Sequence, residues 1–207
     1  SAIELFDDNG MSYASIGIMQ DITDRKQTEA SLRQREAMLA ATTYAAEQFL
    51  KSSDWRLNIE HVLERLGKTF HASHAYLFEH SVGVDEVECS TLKYEWTAPG
   101  YASDFENPYY QVPHPLNFDE GGADHDLRQG RVLSGNLSTF LPAERERLLG
   151  LGVKAMVEVP LFVNGEWWGT FGVDDFEIER EWNTAEVDAI KIAVGILGGA
   201  IQRQNAE

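Results

Sequence analysis

Three things are scarce in this chain: cysteine, positive charge and long runs of apolar residues. Cys89 is the single cysteine among 207 residues. No internal disulfide can form, which suits a reducing compartment and gives the expectation of a cytoplasmic setting. Lys and Arg number 17 against 34 Asp and Glu, a formal net charge of −17. A phosphate backbone is bound by clustered cations that displace its counterions, so nucleic acid is not expected as a partner, and anionic membrane is a poor one. The longest apolar run, residues 192–201, falls well short of the about 20 residues that span a bilayer, so direct membrane insertion is not expected. Recognisable catalytic sets are also missing: no nucleophile stands beside a base, no metal-ligand spacing recurs, and no glycine loop is built to cradle phosphate. The expectation is a regulatory domain rather than an enzyme. The residues specify no cofactor.

What is present begins with a hairpin. Val153, Ala155, Val157, Val159, Leu161 and Val163 alternate with other residues, the two-residue period of a strand with one buried face. Asn164-Gly165 supplies the two positive φ angles of a type I′ turn, so residues 166–173, weighted by Trp167, Trp168 and Phe171, should return antiparallel. Residues 75–80 and 87–96 form a second β-rich pair, residues 131–137 a short strand, and residues 142–149 a helix opened by Pro142. Residues 99–130 differ in character. They are rich in proline, glycine and aromatics, with a short helical candidate at 124–129, and a long irregular segment of this kind inside a compact domain is usually a lid or binding loop.

Residues 3–6 and 12–19 read as two short strands around Asp7-Asp8-Asn9-Gly10, a hairpin without a sheet of its own to join. The chain is therefore expected to begin inside a domain. The run GIMQDITDRKQTEASLRQRE that follows resembles the end of a PAS domain, in which Asp21-Ile22-Thr23 leads into a charged helix. From Asp24 to about Leu50 no proline or glycine interrupts a run of good helix formers, so one long linker or signalling helix is expected, with Leu32, Leu39 and Ala46 seven apart. Leu57, Ile59, Val62, Leu63, Leu66 and Phe70 supply the apolar face of a second helix.

The last helix should be capped by Asn183 with Glu186. Beyond Lys191 it is apolar all round, with Gly195, Gly198 and Gly199 among the apolar residues. A helix without a polar face has to be covered on both sides, and its glycines suggest close approach by another backbone. A partner helix is the expected second cover, which gives a homodimer joined by the first and last helices. Gln202, Arg203 and Gln204 carry no stop signal, so the helix is expected to continue into a downstream output domain.

The order of elements, and above all VPLFVNGEWWGTFGVDD followed by NTAEVDAIKIAVGILGGAIQRQ, resembles a GAF domain over roughly residues 45–205. The resemblance implies an α+β (mixed α/β) fold in which a six-stranded antiparallel sheet carries helices on both faces. It also implies dimerisation through the first and last helices and a small-molecule pocket under the irregular segment. The expected layout is the C-terminal hairpin of a truncated PAS domain at 1–23, a signalling helix at 24–50 and the GAF domain at 45–207. Such an arrangement resembles the sensory part of bacterial histidine kinases and diguanylate cyclases. The alternative is a dimerising relay spacer that has lost its ligand.

Tyr76, Tyr94, Trp96, Met156, Glu158 and Thr170 are the alternating strand positions assigned to the pocket face, with His114 a polar contact from the irregular segment; a one-residue change of register reverses such an assignment. Bilin-binding relatives attach their chromophore through a cysteine in the loop and helix region, whereas Cys89 falls in a strand. Asn117-Phe118-Asp119-Glu120 echoes the cyclic-nucleotide motif of other relatives, but in compressed form. His71, His74, His80, His114 and His125 show no paired spacing, so no metal site is assigned, and Asp124-His125-Asp126 reads as a solvated loop. Asp174 and Asp175 point to opposite faces and read as turn caps or partners of Arg180.

Overall fold

A computed structural model describes residues 2–6, 8–17, 23–83 and 85–206. The chain divides into two compact units, Ser1–Glu36 and Ala37–Glu207. In the first, β1 (Ala2–Phe6) pairs antiparallel with β2 (Ser12–Gly17), Ile3 opposite Ile16 and Glu4 opposite Ser15, and Gly10 turns between them at φ +76°. Asp21 and Ile22 of the Asp-Ile-Thr triplet lie outside the described residues, as do residues 18–20 at the end of the expected second strand. The helix α1 runs Thr23–Lys51.

In the second unit Asp54 accepts the amide of Arg56 at 3.0 Å and opens a 3₁₀ turn, Trp55–Leu57, that leads into α2 (Ile59–Thr69). Ile59, Val62, Leu63 and Leu66 fall at helical spacing on the buried face of α2. Then come β3 (His74–Val82) and β4 (Glu88–Thr97), the 3₁₀ turns Asp104–Glu106 and Pro108–Gln111, the two-residue strand β5 (His114–Pro115), and α3 (Ala123–Arg128). The chain continues through β6 (Leu133–Asn136), α4 (Pro142–Leu151), β7 (Ala155–Val163), β8 (Glu166–Asp175) and α5 (Thr184–Ala206). The six later strands form one antiparallel sheet in the order β5-β4-β3-β8-β7-β6.

Local chemistry explains the joints. Asn164 and Gly165 take φ of +54° and +86°, the type I′ geometry that lets β8 return along β7. Pro160, which has no amide proton, sits two residues beyond Glu158, the last β7 residue paired with β6, so no outer ladder bond is lost there. The register of the β7–β8 pair shifts between Leu161 and Phe162. Asn183 and Glu186 cap α5 reciprocally: the Asn183 amide donates to Glu186 Oε2 at 2.9 Å and the Glu186 amide to Asn183 Oδ1 at 3.1 Å.

One face of the sheet carries the main core. Leu77, Val157, Val159, Phe171 and Val173 pack there with Trp55, Leu63 and Leu66 and with Ala193, Val194 and Leu197 of α5. Met38, Ala41, Ala45 and Phe49 of α1 join the same cluster. This stripe is distinct from Leu32 and Leu39, which are exposed. The close approach expected at the α5 glycines occurs at Gly198, where the neighbour is the chain's own β7: an added Cβ would stand 2.7 Å from the Phe162 carbonyl oxygen. A Cβ at Gly195 would meet nothing within 4 Å. No helix of the described residues is long and apolar enough to cross a membrane.

Candidate functional site

The opposite face of the sheet carries polar groups at its centre. In one row across three strands, Tyr76 of β3 pairs with Gly172 of β8, which pairs with Glu158 of β7. Gly172 leaves room for the tyrosine ring to lie across it, since an added Cβ would come within 2.2 Å of that ring. The Tyr76 hydroxyl thereby reaches two carboxylates, Asp174 Oδ1 at 3.0 Å and Glu158 Oε1 at 3.2 Å. A phenol has one proton to donate. Both contacts are hydrogen bonds only when one of the carboxyls is itself protonated and donates to the phenol oxygen.

The electrostatics agree with that proton count. Burial, helped by the charges of Glu144 and Asp124 and opposed by the Arg147 charge and the Tyr76 bond, raises Glu158 to about 7. Burial, then the charge of Glu158, pushes Asp174 well above the ordinary carboxylate range. Burial and then the charge of Asp174 likewise hold Tyr76 well above an ordinary phenol. Arg147 of α4 lines the same cavity as Glu158, and its guanidinium donates to Glu144 Oε1. Burial works to lower its pKa, but the Glu144 bond and the charges of Glu158 and Glu144 more than offset this and raise it.

Above this floor a half-open cavity of about 570 Å³ lies between the sheet, residues 109–127 and α4. Phe78, His80 and Thr170 line it from the strands, Tyr109, His114 and Asp124 from the irregular segment, and Glu144 and Arg147 from α4, with Glu158 at its base. Tyr109 stacks on His114 with ring centres 4.2 Å apart. Burial holds His80 near pKa 4, so its imidazole is neutral.

The family profile described as GAF domain matches residues 54–201. This chain belongs to the GAF domain family. The methanogenesis regulatory histidine kinase FilI of Methanothrix harundinacea (strain 6Ac) is 33% identical over 201 residues, 97% of this chain and 22% of that protein. An uncharacterized protein of Azorhizobium caulinodans is 28% identical over 186 residues, 86% of this chain and 24% of its own length. The chain thus spans less than a quarter of the curated relatives it matches. Among solved structures, a phycocyanobilin-bound GAF domain from a cyanobacterial phytochrome superposes with a TM-score of 0.65 at 17% identity, covering 82% of this chain and 96% of its own. The far-red absorbing dark state of JSC1_58120g3, with bound biliverdin IXa, gives 0.66 at 15% identity, covering 80% and 99%. These likenesses show the fold. A GAF domain is a regulatory module, and this one is similar over nearly its whole length to part of a signalling protein.

Within this GAF domain the sequence-assigned positions separate. Glu158, Thr170 and His114 line the cavity, and Tyr76 lies beneath it, bonded to Glu158. Met156 shares the same face but packs under α4 with Leu137, Leu148 and Val153. Tyr94 and Trp96 are corrections, because both face the helices. Tyr94 meets Trp55 edge to face at 5.5 Å, and the Trp96 ring fills the space over Gly67. The cause is an irregularity in β4: Leu77 pairs with Tyr94 but Phe78 pairs with Leu92, leaving Lys93 as an extra residue that reverses the alternation on one side of it. Glu95, paired with Tyr76, takes the face that had been given to its neighbours.

Asp174, Arg147, Asp124 and Phe78 had not been assigned to the site. Asp174 follows Thr170 and Gly172 at the two-residue period of β8, so the strand pattern itself carried that signal. Asp175, by contrast, accepts the amides of Glu177 and Ile178 and lies 3.6 Å from Arg180, the turn role expected of it. Asp124 and Asp126, expected in a solvated loop, lie instead in the first turns of α3 and take different roles. Asp126 pairs with Arg131, whereas Asp124 lines the cavity, accepts the Asn117 amide at 2.8 Å, and is raised by burial. Arg147 comes from a separate helix, and no local pattern announces it.

A second buried cluster fastens the irregular segment to the sheet. Glu95 accepts the Ser103 hydroxyl and the Asp104 amide, both at 2.7 Å, and His74 Nδ1 lies 3.2 Å from Asp104 Oδ2. His74, Glu95 and Asp104 offer three ligand atoms within 4.8 Å of one another. Both Glu95 oxygens already accept hydrogen bonds, so the trio works as a clamp on the loop.

Proposed function

We propose that this GAF domain is a sensory input module that binds a small molecule in the cavity above Glu158. In this reading it passes the signal through paired first and last helices to an output domain of the histidine kinase or diguanylate cyclase type. The N-terminal hairpin is read as the end of a PAS domain and the setting as cytoplasmic. The observation that carries the reading is the cavity itself: about 570 Å³ of space into which a few charged and polar groups converge, over a floor of buried carboxylates. A spacer without a ligand gains nothing from keeping such groups desolvated, since filling the volume with apolar side chains is the more stable solution.

The paired-helix part draws support from Ile192, which is 56% exposed, and from Leu32 and Leu39 at 57% and 68%. A bound molecule shifts the output only if it favours one helix arrangement over the other. Native mass spectrometry of the purified chain, together with thermal-shift screening against metabolites, tests the sensor. The expected result is a retained or stabilising small molecule whose effect is lost in a variant that plugs the cavity, Thr170→Trp. Failure of every metabolite to bind, with the cavity closed by its own side chains in a crystal, selects the spacer.

A further inference from the structure

We propose that the cavity takes a small organic ammonium ion, whose N–H groups meet Glu158 while its hydrocarbon part lies against the aromatic wall. The inference rests on the sensor reading and specifies the class of ligand. Its first support is a charge count. Glu158, Asp124 and Glu144 line the cavity, and Arg147 is the cation among its lining residues. Arg147 is already committed to Glu144, and the neutral imidazole of His80 compensates nothing. Glu158 and Asp124 remain without a cation in hydrogen-bonding contact, Arg147 acting on Glu158 through its charge alone, in a chain that is acidic as a whole. Buried charge is stable when paired, and a cation entering from solvent supplies the missing partner.

The wall supplies the second support. Phe78 and Tyr109 present aromatic surface to the same space, and an ammonium group is drawn to the face of an aromatic ring as well as to a carboxylate. Two rivals fit less well. An anionic ligand needs Arg147, which would have to leave Glu144 and bring a second negative charge beside Glu158. A bare metal ion needs ligand atoms that converge. Among the described residues the trio that does so is His74, Glu95 and Asp104, and these three do not line this cavity.

Tyr76 supplies the third support, through the proton count. With one phenol proton for two carboxylates, the empty site holds an extra proton on the Glu158 and Asp174 pair. An ammonium ion that donates to Glu158 displaces the further proton that Glu158 carries below about pH 7; that proton leaves to the buffer, the ligand keeps its own charge, and the extra proton stays with Asp174. Binding therefore strengthens as pH rises through about 7, where Glu158 ionises. The groups facing it are Tyr76 from β3, Asp174 from β8, Asp124 from α3, Glu144 and Arg147 from α4, and Tyr110 from the 3₁₀ turn. Tyr110 is raised by burial and stays neutral in this range.

Titration calorimetry with three matched probes tests the inference: phenethylammonium, 2-phenylethanol and 3-phenylpropanoate. At pH 8 phenethylammonium is expected to bind about tenfold more tightly than the alcohol, with the carboxylate weakest. Its affinity should fall about tenfold by pH 6 as Glu158 takes up its proton. Glu158→Gln should bring the ammonium and the alcohol to similar affinity and flatten the pH dependence. Asp124→Asn, which retains the cap on Asn117, should weaken the ammonium severalfold, and circular dichroism confirms that each variant is folded. An equal or greater affinity for the alcohol or the carboxylate overturns the ammonium inference and leaves the sensor standing. No binding by any probe at about 10 mM, weaker than any specific site, also overturns it, and the metabolite screen then decides the sensor on separate grounds.

Discussion

Tyr76 and Leu77 are neighbours in β3, and they face opposite conditions. Leu77 is fully buried in a cluster of hydrophobic side chains that includes Trp55, Leu63 and Val173. Tyr76 is also buried, but its hydroxyl stands between two carboxylates. The same alternation separates Val157 from Glu158 and Val173 from Asp174. One set of strands thus presents a dry face that holds the domain together and a polar face whose groups are costly to bury. The dry face wins the stability balance because burying a large apolar side chain contributes about 1.5–3 kcal/mol, and that face buries many. The polar face can then carry desolvated carboxylates at a net cost, which is expected where a protein keeps a site for something else.

The sharpest way to break this division is to hollow each face in turn. Trp55 is 1% exposed and makes edge-to-face contacts with Tyr94 and Trp168. Trp55→Ala should cost about 3–5 kcal/mol in urea unfolding, since the site cannot collapse around so large a void. Phe78→Ala, which enlarges a cavity that already exists, should cost less than half as much. Equal losses would mean that the cavity face is as tightly built as the core.

The next effect is a pH dependence that belongs to the polar face alone. Glu158 has a folded pKa of about 7, above its ordinary 4.5, so the native state binds more protons than the unfolded chain between those values. Its contribution is fully present below about pH 4.5 and is lost as pH rises through 7, with about 2–3 kcal/mol of the decrease falling between pH 5 and pH 8. Chemical denaturation at pH 5 and pH 8 should show that fall in the wild type and a clearly smaller one in Glu158→Gln. If both proteins fall equally, general repulsion among the acidic residues is responsible.

Removing the shared hydroxyl is a smaller perturbation. Tyr76→Phe keeps the ring over Gly172 but deprives Glu158 and Asp174 of their common donor, which should cost about 1–2 kcal/mol at neutral pH. The Tyr76 bond is one influence that lowers Glu158, so the pH-dependent loss should also move upward. An unchanged pH profile would show that the hydroxyl is not coupled to Glu158 in solution.

How far such residues could be read from sequence depended on the range of the signal. Asn164-Gly165, the alternation through β7 and the Asn183–Glu186 cap act within a few residues, and the structure has each where the pattern put it. Glu158 and Thr170 followed from the same alternation. Tyr94 and Trp96 failed because one extra residue, Lys93, changes the face of everything beyond it, and nothing in Leu92-Lys93-Tyr94 marks the bulge. Strand β5 is two residues long and exists through its pairing with Cys89 and Ser90, so it has no pattern of its own. Arg147 shares the cavity with Glu158 only because α4 brings it there from a separate stretch of sequence. Asp174 was within reach, but its neighbour Asp175 offered a simpler role for the pair.

The smallest effect tests the outer boundary of the dry face, on α5. Gly198 faces β7, where an added Cβ would meet the Phe162 carbonyl oxygen at 2.7 Å, so alanine there should force the helix away from the strand. Gly195 faces outward beside the exposed Ile192, and an added Cβ would meet nothing within 4 Å. Alanine at Gly195 should therefore stabilise the isolated chain by about 0.5–1 kcal/mol through helix propensity alone. Sedimentation equilibrium on the same variant sharpens the result. If a helix from a second copy seats on Ile192, Gly195 and Ile196, the new methyl should weaken self-association even as it raises the melting temperature of the monomer, because the two effects act on different neighbours. A stabilised variant with unchanged self-association would move the dimer contact away from this stripe and leave Leu32 and Leu39 of α1 to account for it.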